Sequence, residues 1–171
     1  SSAASDVYKR QALKRMTEKK VDLPILTVDT DGMELYDKGE EKAWKELFLV
    51  FAGEKEDVIL GRIGILGMTP QDISDLRAAD RIRERFAAEG KTAVCFGMGN
   101  GLDDVKSVSN VEKNIVVSPA ALEAAKYLER TYGTPYETGY PLVDELVYDM
   151  DYHGKKVLIV QQQVCLLYTS D

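Results

Sequence analysis

The chain has 171 residues, with 22 Lys and Arg against 29 Asp and Glu, a formal net charge of −7 and 44% hydrophobic residues. An acidic composition without a basic stripe argues against nucleic-acid and anionic-membrane partners, and no apolar run approaches the length that spans a bilayer. The length predicts one domain with enough chain to bury a sizeable core.

The two ends do not read as parts of a fold. Residues 1–11, SSAASDVYKRQ, are one translation of a transposon-based sequencing-library adaptor. Codons for residues 5–11, reverse-complemented and shifted in frame, read CLLYTS, which is the sequence of residues 165–170. Residues 1–11 and 165–171 are therefore expected to be adaptor-derived tails that pack poorly against the rest, and they are set aside from fold reasoning. The charges of Asp6, Lys9, Arg10 and Asp171 cancel, so the remainder keeps the same net charge. With Cys165 set aside, Cys95 is the one cysteine left. It forms no intrachain disulfide, which fits a cytoplasmic protein. Residues 12–164 then read as an internal piece of a longer product.

In chain order, residues 13–20 read as the end of a helix and 23–28 as a strand, with Pro24 where no ladder donor is needed. Asp29, Thr30, Asp31 and Gly32 make a turn. Asp37 starts a helix with Glu40 as a capping-box-like partner, and Ala43, Trp44, Leu47, Phe48 and Phe51 form its buried stripe. Residues 53–57 are a polar connection that suits a domain boundary. A strand at 63–66 leads to Thr69 and Pro70, a cap and a first-turn proline. The helix expected next carries Ile73, Leu76, Ala79, Ile82 and Phe86 inward and ends at Gly90. A strand at 92–96, a glycine turn at 97–101 and a short helix marked by Leu102, Val105 and Val108 follow.

The stretch 113–141 is the most legible. A β-branched strand at 114–117 gives way to Ser118, able to cap a helix, and Pro119, suited to a first turn. Ala121, Ala124, Ala125, Leu128 and Tyr132 share one helical face. Gly133 and Pro135 stop the helix, and a strand near 135–137 follows. An acidic helix at 141–152 turns Leu142, Leu146, Val147 and Met150 inward, and a last strand is expected at 155–160. Strand and helix alternate throughout, which predicts an α/β fold with a Rossmann-like, doubly wound parallel sheet. The expected organisation is a tail at 1–11, the end of a preceding α/β domain at 12–57 and a central Rossmann-like domain at 58–152. The first strand of a following unit at 153–164 and a tail at 165–171 complete it.

NIVVSP at 114–119, AAKYLE at 124–129 and YGTPY at 132–136 resemble the middle region of the nitrogenase component 1 type oxidoreductases. Three further stretches agree: PILTVD at 24–29 leading to GMELYDKGEEKA, IGILG at 63–67 followed by TPQD, and GKKVLIV at 154–160. The resemblance spans roughly residues 22–164. It implies a fragment of a multi-domain component 1 fold and an oxidoreductase subunit that passes electrons through an iron–sulfur cluster. It also implies two partners, a homologous component 1 subunit and an ATP-dependent iron–sulfur reductase.

Candidate site residues are few. Gly97, Gly99 and Gly101 lie between strand and helix, where backbone N–H groups can meet a phosphate. The third glycine of a dinucleotide fingerprint would fall at Asp103, which repels one, so a tight turn is the better reading. In the resembled family this loop faces the cleft between domains, so a cofactor contact is the functional alternative. Cys95, inside an apolar strand, reads as a small core side chain, and His153 as a solvated turn residue. Asp29, Asp31 and Glu34 lie near a strand end, where either a turn or a site would use them. In the resembled cofactor-bearing α subunit the turn at Ser118 carries a cysteine metal ligand. Serine followed by proline is the β-type pattern, so Ser118 is a cleft-facing candidate and no metal ligand is expected within this chain. The open alternatives are a non-catalytic scaffold or carrier for a metal cofactor and a plain small-molecule-binding α/β domain.

Overall fold

The structure is a computed structural model and describes residues 3–28 and 36–143. Its elements are helix α1 (Ala3–Glu18), helix α2 (Tyr36–Phe51), strand β1 (Ile59–Leu66), helix α3 (Ala78–Ala88) and strand β2 (Thr92–Cys95). The short helix α4 (Leu102–Lys106), strand β3 (Val111–Val116), helix α5 (Leu122–Tyr132) and strand β4 (Tyr136–Thr138) follow. Single 3-10 turns at Val108–Asn110 and Pro119–Ala121 lead into β3 and α5.

The strands form one all-parallel sheet in the order β2-β1-β3-β4. This is the doubly wound α/β arrangement expected from the alternation of strand and helix. From Ile63 to Ile65 β1 pairs on both sides, Ile63 facing Ala93 of β2 and Lys113 of β3. Successive side chains then point to opposite faces. Ile63, Ile65, Cys95, Ile115 and Val117 pack with Ala79, Ile82 and Phe86 of α3 on one face. Leu66, Val94, Phe96 and Val116 go to the other, under Trp44 and Phe48 of α2 and Ala124, Ala125 and Leu128 of α5. The step from β1 to β2 runs one way with α3 on the first face. The steps to β3 and β4 run the other way, with α4 and α5 on the second. A single crossover hand requires that change of face. The direction reverses between β1 and β3, so the ends of these two strands mark the topological switch point of the sheet.

Several local expectations are corrected. Helix α3 starts at Ala78, well after Pro70. Asp75 Oδ1 accepts the N–H of Arg77 at 2.9 Å, a side-chain bond of the kind that competes with helix. Leu76, placed before the helix, is 69% exposed rather than inward. Residues 23–28 form no strand. They have no neighbour in the sheet among the described residues, and β-propensity without a partner does not make a ladder. Strand β1 begins at Ile59, earlier than the apolar run at 63–66 suggests. Helix α2 packs on the sheet through Trp44 and Phe48. In α1, which runs upstream of the helix expected at 13–20, Tyr8 is 75% exposed. The helix from 144 onward, the strand at 155–160, Leu166 and Leu167 lie outside the described residues.

Phe48 is the keystone of the α2 contact: it is fully buried, stacked near Trp44 at 6.1 Å between centroids and edge-on to Phe96 at 5.5 Å. Phe48→Ala should lower unfolding stability by about 3–5 kcal/mol, read from urea denaturation.

Candidate functional site

Ligands of open α/β sheets bind outside the carboxyl ends of the strands at the switch point. Here that place is the junction of Gly67, after β1, with Ser118, after β3. A Cβ on Gly67 would stand 2.7 Å from Ser118 Cβ and 3.1 Å from Ala121 Cβ, so only glycine lets the two strand ends approach this closely. Ser118 is 2% exposed. Its Oγ accepts the N–H of Ala120 at 3.3 Å, which caps the Pro119–Ala121 turn. The sequence suggested a helix starting at Pro119; one 3-10 turn intervenes and α5 starts at Leu122. Ser118 Oγ also donates to Asp72 Oδ2 at 2.5 Å. Sequence reading missed this partner. The pair is 46 residues apart, and the one pointer was the TPQD block itself, whose acid was not assigned a role.

The first turns of α2 contribute to the same cluster. Tyr36 OH donates to Gln71 Oε1, and Trp44 Nε1 donates to Glu40 Oε1 at 3.1 Å. The capping box proposed for Asp37 and Glu40 does not form. Asp37 Oδ1 accepts from Lys38 N at 3.1 Å, while Glu40 turns to the indole. Burial raises the Glu40 carboxyl above the usual glutamate range and the charge of Asp72 adds to the rise, against lowering by the Trp44, Tyr36 and Thr69 donors. The cluster thus joins hydroxyls, an indole N–H and two carboxyl groups, which suits it to orient a polar group or hold a proton. Among the described residues no group of three His, Cys, Asp or Glu side chains converges to hold a metal ion.

The glycine turn after β2 stands at the same edge of the sheet. Gly97 has φ +105, and a Cβ there would collide with the carbonyl of Met68. A Cβ on Gly99 would meet Arg83 Nη2 at 2.9 Å, and Gly101 faces open space. Arg83 Nη2 donates to Met98 O at 2.9 Å and Asn100 Oδ1 at 2.8 Å. Asn100 Nδ2 donates to Asp104 Oδ2 at 2.9 Å, and Cys95 N–H to Asn100 Oδ1 at 2.9 Å. These bonds make a tight, internally bonded turn, and Asp103 and Asp104 place negative charge at the start of α4. Cys95 is fully buried, its Sγ directed at Ala79 O at 3.8 Å, and burial pushes its thiol up to about 11. It is an inert core side chain under ordinary conditions. Asp29, Asp31, Glu34 and His153 lie outside the described residues.

Ser118→Ala should cost about 1 kcal/mol from the lost cap, and more where Asp72 loses its donor, measured by chemical denaturation. Glu40 gives a pH-dependent test. A carboxyl whose pKa is higher when folded takes up protons on folding, so its contribution falls as pH rises from about 4.5, its ordinary value, through the raised folded value. Glu40→Gln stays neutral throughout. Unfolding at stepped pH should therefore show the variant gaining on the wild type as pH rises across that window.

A family profile described as nitrogenase component 1 type oxidoreductase matches residues 9–145. No curated protein matches the chain. A solved structure of nitrogenase Cp1 at pH 6.5 is similar at 19% identity and a TM-score of 0.49, over 64% of this chain and 28% of that one. The chain therefore spans 28% of the length of that solved relative. The family match takes in the sheet, Ser118 and the glycine turn, and ends before the stretch 154–160. On a match that covers most of its length, the chain belongs to the nitrogenase component 1 type oxidoreductase family.

Proposed function

We propose that the chain is part of a component 1 subunit that takes part in ATP-coupled, iron–sulfur-mediated reduction of a substrate. The observation that supports this reading is the family match over residues 9–145. A homologous component 1 subunit would complete the assembly, an ATP-dependent iron–sulfur reductase would supply electrons, and the cytoplasm is the compartment this chemistry implies. The described residues do not fit an iron–sulfur cluster. Four-thiolate ligation needs partners for a cysteine, and Cys95 is buried with its thiol held protonated. Cluster ligands are therefore assigned to parts of the complete protein outside this chain, and no electron-transfer step is assigned to its residues.

In this reading Ser118 and the turn with Gly97, Gly99 and Gly101 border the cleft in which a cofactor or substrate is held. Ser118 keeps the β3 end against Gly67 and fixes Asp72; as a hydroxyl it is a poor iron ligand beside a thiolate. That same serine favours, as a second reading, a non-catalytic scaffold or carrier for a metal cofactor. Anaerobic purification of the complete gene product, with iron and sulfide analysis, tests both. Iron with acid-labile sulfide and reductant-dependent turnover is the expected result. Iron without turnover selects the carrier, and no iron leaves a plain ligand-binding domain. Ser118→Cys should bind no additional iron. Loss of iron in Ser118→Ala would instead place this oxygen on the metal.

A further inference from the structure

Asn114 lies in the middle of β3 and is fully buried, yet neither its Oδ1 nor its Nδ2 has a hydrogen-bond partner among the described residues. The side chain lies over Gly64, its Cα partner on β1, occupying the space where a Cβ on that glycine would stand. Arg62 precedes Gly64 by two residues and so projects on the same face. Its Nε is buried and equally without a partner, while its Nη2 donates to Asp104 Oδ1 at 3.3 Å. One strand spacing and two residues along separate the two Cα atoms, roughly 8 Å from standard sheet geometry. Unpaired donors from both residues and one unpaired acceptor thus lie on the same face of neighbouring strands. Buried polar groups of this kind are ordinarily satisfied by protein or by ordered water.

We infer that Arg62 Nε and the Asn114 amide bind one or two internal water molecules between the sheet and α4. Water fits the donor set: it accepts from Nε–H and from the amide N–H and donates to the amide oxygen. Internal waters typically make about three such bonds. A phosphate or carboxylate would take the donors and leave the Asn114 oxygen facing negative charge. The bound water extends a polar chain that already runs from Arg62 through Asp104 and Asn100 to Arg83. It thereby ties the centre of β3 to the glycine turn after β2.

The test uses the whole chain and two variants. Asn114→Leu removes the amide. Arg62→Lys keeps a positive charge for Asp104 and removes Nε–H, so it serves if the leucine variant fails to fold. Water oxygen-17 relaxation dispersion should lose the signal of at least one long-lived water in each folded variant relative to the wild type. A crystal structure at high resolution should show density within hydrogen-bond distance of both Arg62 Nε and the Asn114 amide. Unchanged dispersion in the folded variants, or an Asn114 amide bonded directly to protein groups in the crystal, overturns the inference.

Discussion

Like β3, which lies between it and β4, strand β1 has a parallel partner on each side, from Ile63 to Ile65. Its side chains feed both layers: Ile63 and Ile65 to the α3 side, Leu66 to the α2 and α5 side. Helices on each face are anchored through this strand, and its last residues determine where the chain turns at Gly67. The switch point exists because β2 and β3 leave β1 in opposite directions. Ser118, Asp72 and the first turns of α2 gather at the edge that this divergence opens.

The fold was legible where local signals agreed with one another. At 113–141 a β-branched strand, Ser-Pro, an alanine-rich face, Gly133 and a short following strand all pointed to the same unit, and the structure has it as β3, α5 and β4. The left-handed Gly133 closes α5 as the C-cap. Legibility failed where a side chain competed with the backbone or a partner was missing. Asp75 diverts the chain before α3, so a periodicity counted from Ile73 placed Leu76 inward when it is outward. Residues 23–28 have strand composition without a strand paired to them among the described residues.

The site was legible in part. Ser118 as a cap follows from spacing alone, because its acceptor function is satisfied two residues on. Its second partner, Asp72, is a tertiary fact that no window of sequence contains. Glu40 shows the same limit: three residues after Asp37 it invites a capping box, but the indole of Trp44 one turn later offers it a buried donor. The glycines at 97–101 were visible as a turn, whereas the reason for Gly97, a neighbouring carbonyl after β1, needed the sheet.

The bond from Cys95 N–H to Asn100 Oδ1 bears on how the sheet meets other chains. In a parallel ladder successive N–H groups point to opposite sides, and Phe96 N–H is directed to Ile65 O on β1. The N–H of Cys95 therefore points away from β1, along the outer edge of β2. Unpaired groups on an outer strand are templates for edge-to-edge pairing with another chain. Asn100, drawn in by Arg83 and Asp104, fills that donor with a side-chain oxygen. The glycine turn thus blunts an edge that has no further strand among the described residues, and a side chain that holds a loop in shape also guards that edge against strand addition.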